Sequence, residues 1–161
     1  MKYISMIIIL AVCSSAGVYF SISMKKRVTQ LCDVINGINT VKNGIICGQT
    51  EIYGIFESIV DSGIFSSVVG ADGETTTEKY FNAKRFLKRN MFLDNSDWAE
   101  IDRFFASVGK SEAEAQIRIC DNCIKSIEKR LLSADEKYKR IGGVYAKGGV
   151  LAGIFIVILM I

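Results

Sequence analysis

Cys120-Asp121-Asn122-Cys123 is the spacing in this chain that chemistry most often uses. Two thiols three residues apart serve as a redox pair or as half of a metal site. A redox pair belongs at a helix N-terminus, where the dipole lowers a thiol pKa. Here both thiols fall inside a predicted helix, and Cys120 sits on its apolar seam. A zinc site needs two more ligands, and with no His in the chain only Cys32, Cys47 or carboxylates remain. Buried structural thiols are the leading reading, with no disulfide expected in a reducing cytoplasm. The alternative is a membrane-tethered redox or metal-sensing protein using Cys120 and Cys123. Without His no nucleophile–base pair can be drawn. No Gly-rich phosphate loop ending in Lys-Ser/Thr is present, which disfavours an ATPase. The chain is therefore expected to be no enzyme and to take no cofactor or metal.

A second cluster is basic. Lys84, Arg85, Lys88 and Arg89 stand beside Phe81, Phe86 and Leu87. Such a group can meet an acidic partner or anionic headgroups; the plainer alternative is a solvated helix face. The overall balance, 20 Lys and Arg against 17 Asp and Glu, lacks the dominant basic surface that nucleic-acid binding needs.

These residues are carried by a chain of unusual layout. All but one of the Lys and Arg, and every Asp and Glu, lie between Lys25 and Lys147. Tyr3 to Met24 is apolar and as a helix covers about 33 Å, enough for a bilayer core of about 30 Å. Ser14, Ser15 and Ala16 would suit signal cleavage, and Leu10-Ala11-Val12-Cys13 loosely resembles a lipobox. Only Lys2 precedes the apolar run, however, while Lys25, Lys26 and Arg27 follow it. That order favours an uncleaved span with the next segment on the cytoplasmic side. Gly148 to Ile161 is too short alone. Extended back to Ile141 it reaches about 31 Å, with Lys147 able to snorkel to the headgroups. Lys137, Lys139 and Arg140 mark that flank as cytoplasmic too. The expected organisation is a transmembrane helix over 1–24, a cytoplasmic helical domain over 25–140 and a second span over 141–161. Both termini would then be extracytoplasmic. Cys13, Gly17 and Ser21 in the first span, and Gly149 and Gly153 in the second, recur every four residues. Such stripes let helices approach closely in lipid, within one subunit or between subunits.

The absence of Pro and the lack of alternating patterns predict an all-α fold, a helical bundle with a transmembrane helix at each end. Val28, Leu31, Ile35, Ile38, Val41 and Ile45 make one apolar face of a helix from about Lys25 to Cys47. Gly48-Gln49-Thr50 is a stop and restart. Short helices are expected around Glu51–Asp61 and Ile64–Val69. Thr75, Thr76 and Thr77 cap a helix through about Arg89, and another follows over Asp97–Val108. Ser111 with Glu114 has the form of a capping box. After it Ala113, Ile117, Cys120, Ile124, Ile127, Leu131, Ala134, Tyr138 and Ile141 form a seven-residue apolar repeat. That seam packs lengthwise against the first helix or against a second copy.

The order of these segments resembles the stage III sporulation protein AB family almost end to end. The likeness rests on the helix Arg27 through Ile38 and on Ile45-Ile46-Cys47-Gly48-Gln49-Thr50. It continues through Phe105-Ala106-Ser107-Val108-Gly109 with Gln116, then Lys139-Arg140 and Gly149-Val150-Leu151-Ala152-Gly153-Ile154. Cys47 stands where that family usually has Tyr, Glu51 where it has Pro, and Val108 where it has Leu. The resemblance implies a membrane component of the channel joining mother cell and forespore. It also implies a cytoplasmic domain similar to those of type II secretion platform F components. The partners implied are a co-encoded secretion-type ATPase, stage III sporulation protein AA, and other membrane components of the channel. Gly48 and Gln116, which carry part of the likeness, join the basic cluster as candidate partner-binding residues.

Overall fold

The computed structural model describes residues 2–48, 52–59 and 63–160. Among them are α1 (Lys2–Ile46), α2 (Ile52–Ser58), α3 (Gly63–Val69), α4 (Thr76–Asn90), α5 (Asn95–Ser107), α6 (Ala113–Lys137) and α7 (Gly143–Met160). A π-helical turn, Tyr138–Gly142, joins α6 to α7, and no strand occurs among the described residues. The all-α fold expected from the sequence is present. Two compact units result: Thr29–Leu132, and the end segments Met1–Val28 with Ser133–Ile161. Neither 24 nor 141 coincides with a helix end, since α1 runs unbroken through Lys25-Lys26-Arg27 and the π turn spans 141. Gln49, Thr50, Glu51 and Asp61, parts of the expected restart and of the first short helix, lie outside the described residues.

In the unit Thr29–Leu132, α1 ends because Gly48 takes φ +79°, the left-handed conformation that glycine adopts without a Cβ penalty. Its N–H donates to the Ile45 carbonyl at 3.1 Å, closing the last turn. Leu31, Val34, Ile38, Val41 and Ile45 are buried, so Val34 joins the predicted face while Val28 and Ile35 are only half-buried. Two glycines on α1, seven residues apart, receive side chains from the short helices. Phe65 of α3 lies against Gly37, and a Cβ on Gly44 would stand 2.7 Å from Ile55 Cδ1 of α2. The centre is aromatic: Phe56, Phe65, Tyr80, Phe104 and Phe105 are fully buried. Tyr80 stacks on Phe105 with ring centroids 4.2 Å apart, and Phe65 meets Phe56 edge-on at 5.3 Å. Such pairs add about 0.5–1.5 kcal/mol each beyond the area they bury.

Capping sets the starts of the later helices. Thr75 accepts from the Glu78 N–H at 3.2 Å to open α4. For α5 the Asp97 carboxylate accepts from the Asp94 N–H at 2.9 Å. At α6 the expected box from Ser111 and Glu114 gives way to another arrangement. The helix begins at Ala113, the first helical carbonyl to accept is that of Glu112, and Glu114 instead meets Arg118 at 3.7 Å. Gln116 bridges the turn, accepting from the Gly109 N–H at 3.3 Å and donating to the Ser111 carbonyl at 2.6 Å. An amide three residues into the helix reaches both ends of the loop, which a Glu side chain, without a donor, could not do. Along α6, Cys120 and Ile127 of the predicted seam are buried, with Cys123 beside them, whereas Ile117, Ile124 and Leu131 are half-buried.

The other unit is built from the start of α1 and from α7. Residues ascending one helix meet residues descending the other, so the two run antiparallel: Phe20 and Tyr145 rings lie 5.9 Å apart, Gly17 meets Gly149, and Leu10 and Cys13 meet Gly153. Ile7, Ile8, Val12, Leu151, Phe155 and Ile158 are exposed, giving a continuous apolar exterior of a kind water does not favour. Hydroxyls in this stretch are turned inward on their own helix, Ser15 to the Val12 carbonyl and Ser23 to that of Phe20. By length and composition both helical runs, Ile7–Ile46 and Ala113–Ile158, can cross a membrane. At the π turn the Tyr138 ring covers Gly142, where a Cβ would lie 2.7 Å from Tyr138 Cδ2.

Candidate functional site

The basic cluster falls on α4, whose inner face is fixed by the buried Tyr80, Ala83 and Leu87. The helical period then turns Phe81, Arg85, Phe86, Lys88 and Arg89 outward, and all five are exposed. Lys84 is separated from them by its chemistry. Its Nζ lies 2.7 Å from the Asp102 carboxylate on α5, and 5.5 Å from the centre of the Phe81 ring. Asp102 also accepts from the Tyr80 hydroxyl at 2.7 Å. Burial, then the bond to Asp102, raises the Tyr80 pKa far above its ordinary value, so the phenol is a permanent donor. Three cations of the predicted four, Arg85, Lys88 and Arg89, are left without an acidic partner among the described residues.

Beside them runs a groove of about 360 Å³ between α4, α1 and α3, with Gln30, Asp33, Val34, Phe86, Leu87 and Met91 among its walls. Its rim is ordered by the Phe92 N–H, which donates to Gln30 Oε1 at 2.8 Å. Of the two remaining candidates, Gly48 is exposed at the α1 terminus with open space around it. Gln116 has its amide occupied on both sides by the α5–α6 loop.

The thiol pair sits at the interior. Cys120 is fully buried and Cys123 nearly so. Burial first, then the neighbouring Asp121 carboxylate, pushes the Cys120 thiol up to about 11. Burial and Glu100 push that of Cys123 up to about 12, and its Sγ donates to the Glu100 carbonyl at 3.9 Å. Both are protonated at neutral pH, the inert form of a thiol.

An ionic cluster that no spacing revealed lies between α5 and α6. Asp97 is fully buried, with Arg130 Nη1 4.0 Å from its Oδ1. Arg130 Nη2 reaches Glu100 at 3.4 Å, and Arg103 binds the other Glu100 oxygen at 3.0 Å. A second tie, Lys42 to Asp121 at 2.6 Å, joins α1 to α6. In the sequence Asp97 marks only the expected start of a helix; its partner Arg130 is remote in the chain.

Of the small-residue positions, Gly17, Gly149 and Gly153 are at the approach of α1 and α7. A Cβ on Gly17 would lie 2.5 Å from the Tyr145 carbonyl oxygen, and one on Gly149 would lie 2.7 Å from that of Cys13. Ser21 is half-buried one turn further on.

The fold and its surfaces define an all-helical protein with two helices able to span a bilayer and a body whose outward features are charged and aromatic. The family model described as stage III sporulation protein AB matches residues 2–161, and the chain belongs to that family. No curated protein and no solved structure gives a significant match.

Proposed function

We propose that this chain is a non-catalytic membrane scaffold of the mother cell–forespore channel complex in endospore formation. Its helical body couples a secretion-type ATPase, stage III sporulation protein AA, to the membrane components of that channel. The observation that carries the reading is the extent of the family match, which takes in both apolar helices and the body together. The body stands on the cytoplasmic, mother-cell side. Lys25, Lys26 and Arg27 at one flank, and Lys137, Lys139 and Arg140 at the other, are the charges that retain adjoining segments in the cytoplasm. Both termini then lie across the bilayer. The ATPase supplies the chemistry and the body supplies a surface, with Gln116 holding the α5–α6 loop and Gly48 ending α1 as lesser contributors. The coupling to the ATPase is drawn by analogy with type II secretion platform F components, whose cytoplasmic domains that of the family resembles.

The test is co-purification of the full chain with its cognate ATPase from detergent or from nanodiscs. A stable complex is expected; its absence under both conditions overturns the adaptor role. Labelling of the exposed Cys47 in intact cells by a membrane-impermeant maleimide tests the topology separately. The thiol should be protected until the membrane is permeabilised.

A further inference from the structure

We propose that the outward face of α4 is where the body receives the ATPase, by binding an acidic segment with an apolar anchor. Phe86 and the groove beside it take the anchor, and Arg85 and Arg89 take its carboxylates. This deepens the adaptor reading above and rests on it.

Arg85 and Arg89 are four residues apart on one side of a helix, with Lys88 adjacent. Like charges at that spacing repel. The helix dipole offsets this for Lys88 and Arg89 in the last turn, but not for Arg85. A solvated face would be expected to interleave carboxylates. Here the Asp102 carboxylate is held by Lys84 and Tyr80. Among the described residues three cations thus have no acidic partner, and two are guanidinium forks suited to bidentate carboxylates.

The same face exposes two large aromatic rings. Phe86 is 65% exposed and Phe81 48%. They flank the arginine pair. Exposed aromatics beside Arg are the composition of protein interfaces, where a few such residues carry most of the binding energy. The groove beside Phe86 provides depth for one side chain, backed by Val34, Leu87 and Met91. An apolar side chain in the groove with carboxylates outside it matches this distribution, and a flat anionic membrane does not.

The experiment uses the full chain in phosphatidylcholine nanodiscs and the purified ATPase, with binding read by biolayer interferometry. Arg85→Glu/Arg89→Glu and, separately, Phe86→Ser should each weaken the complex about tenfold or more. Wild-type binding should fall with added salt. The exposed α6 control Lys125→Glu/Lys129→Glu should bind as wild type. Circular dichroism melting checks that each variant is folded, and Arg85→Gln/Arg89→Gln replaces the charge reversal if that one is not. Unchanged affinity in the folded α4 variants would overturn this face while leaving the adaptor reading intact. No wild-type binding at all would remove both. If the variants instead lose only flotation with phosphatidylglycerol vesicles, the face meets lipid and the proposal is wrong.

Discussion

Gly17 and Gly149 meet backbone to backbone: a Cβ on either one would stand 3.0 Å from the Cα of the other. Two helices can come this close only where neither carries a side chain, and in lipid such contact is a main source of association. One turn on, a Cβ at Gly153 would lie 3.3 Å from Cys13 Cβ, near the separation that a disulfide spans. Gly153→Cys should therefore oxidise with the native Cys13 inside one chain. On non-reducing gels the product should migrate as a monomer and resist maleimide-polyethylene glycol. A dimer-sized band instead would show that the helices pair between subunits. Gly17→Leu should abolish the cross-link, because its side chain would strike the Tyr145 carbonyl.

Thiol titration should separate Cys47 from the pair on α6. At pH 7 Cys47 should react promptly with a thiol reagent, and Cys120 and Cys123 only after unfolding. Their raised pKa values also set a pH dependence. A thiol holding its proton more tightly when folded contributes stability that is complete below its ordinary value, 9.0, and lost as pH rises through about 11 and about 12. Melting temperature should thus fall steadily above pH 9. Cys120→Ser/Cys123→Ser should flatten that fall while sporulation persists. A sporulation defect in a folded double variant would revive a redox or metal-sensing role.

Asp97 carries two duties, the start of α5 and the partner of Arg130. Asp97→Ala removes the acceptor for the Asp94 N–H and leaves a partly buried guanidinium with Glu100 alone. The expected cost is about 2–4 kcal/mol, read from chemical denaturation of the full chain in detergent. A loss under about 0.5 kcal/mol would mean that Arg130 and Asp97 do not interact in solution.

Gly37 is the notch that admits Phe65. Gly37→Ala places a methyl against that ring and should cost about 1–3 kcal/mol by overpacking. Gly54→Ala, at an exposed site with open space, should be neutral or slightly stabilising, since alanine loses less backbone freedom in a helix. Equal effects at the two positions would contradict this packing of α3 against α1.

Much of this architecture is written locally. The apolar ends, the cap at Thr75, the stop at Gly48 and the outward position of Arg85 and Arg89 follow from residue type and helical period, which neighbouring positions alone specify. The heptad of α6 likewise anticipated buried Cys120 and Ile127. Other features depended on which helices touch. Val34 joins the core, Lys84 leaves the basic cluster for Asp102, and Gln116 replaces the expected Glu114 cap. The same holds for Phe65 in the Gly37 notch and for Arg130 on Asp97 and Glu100. Hydrophobic periodicity and capping act over a few residues and so determine the elements and their faces. Charge pairing and side-chain fit between distant segments arise only once those faces meet, so the tertiary structure decides which cations have an acidic partner among the described residues.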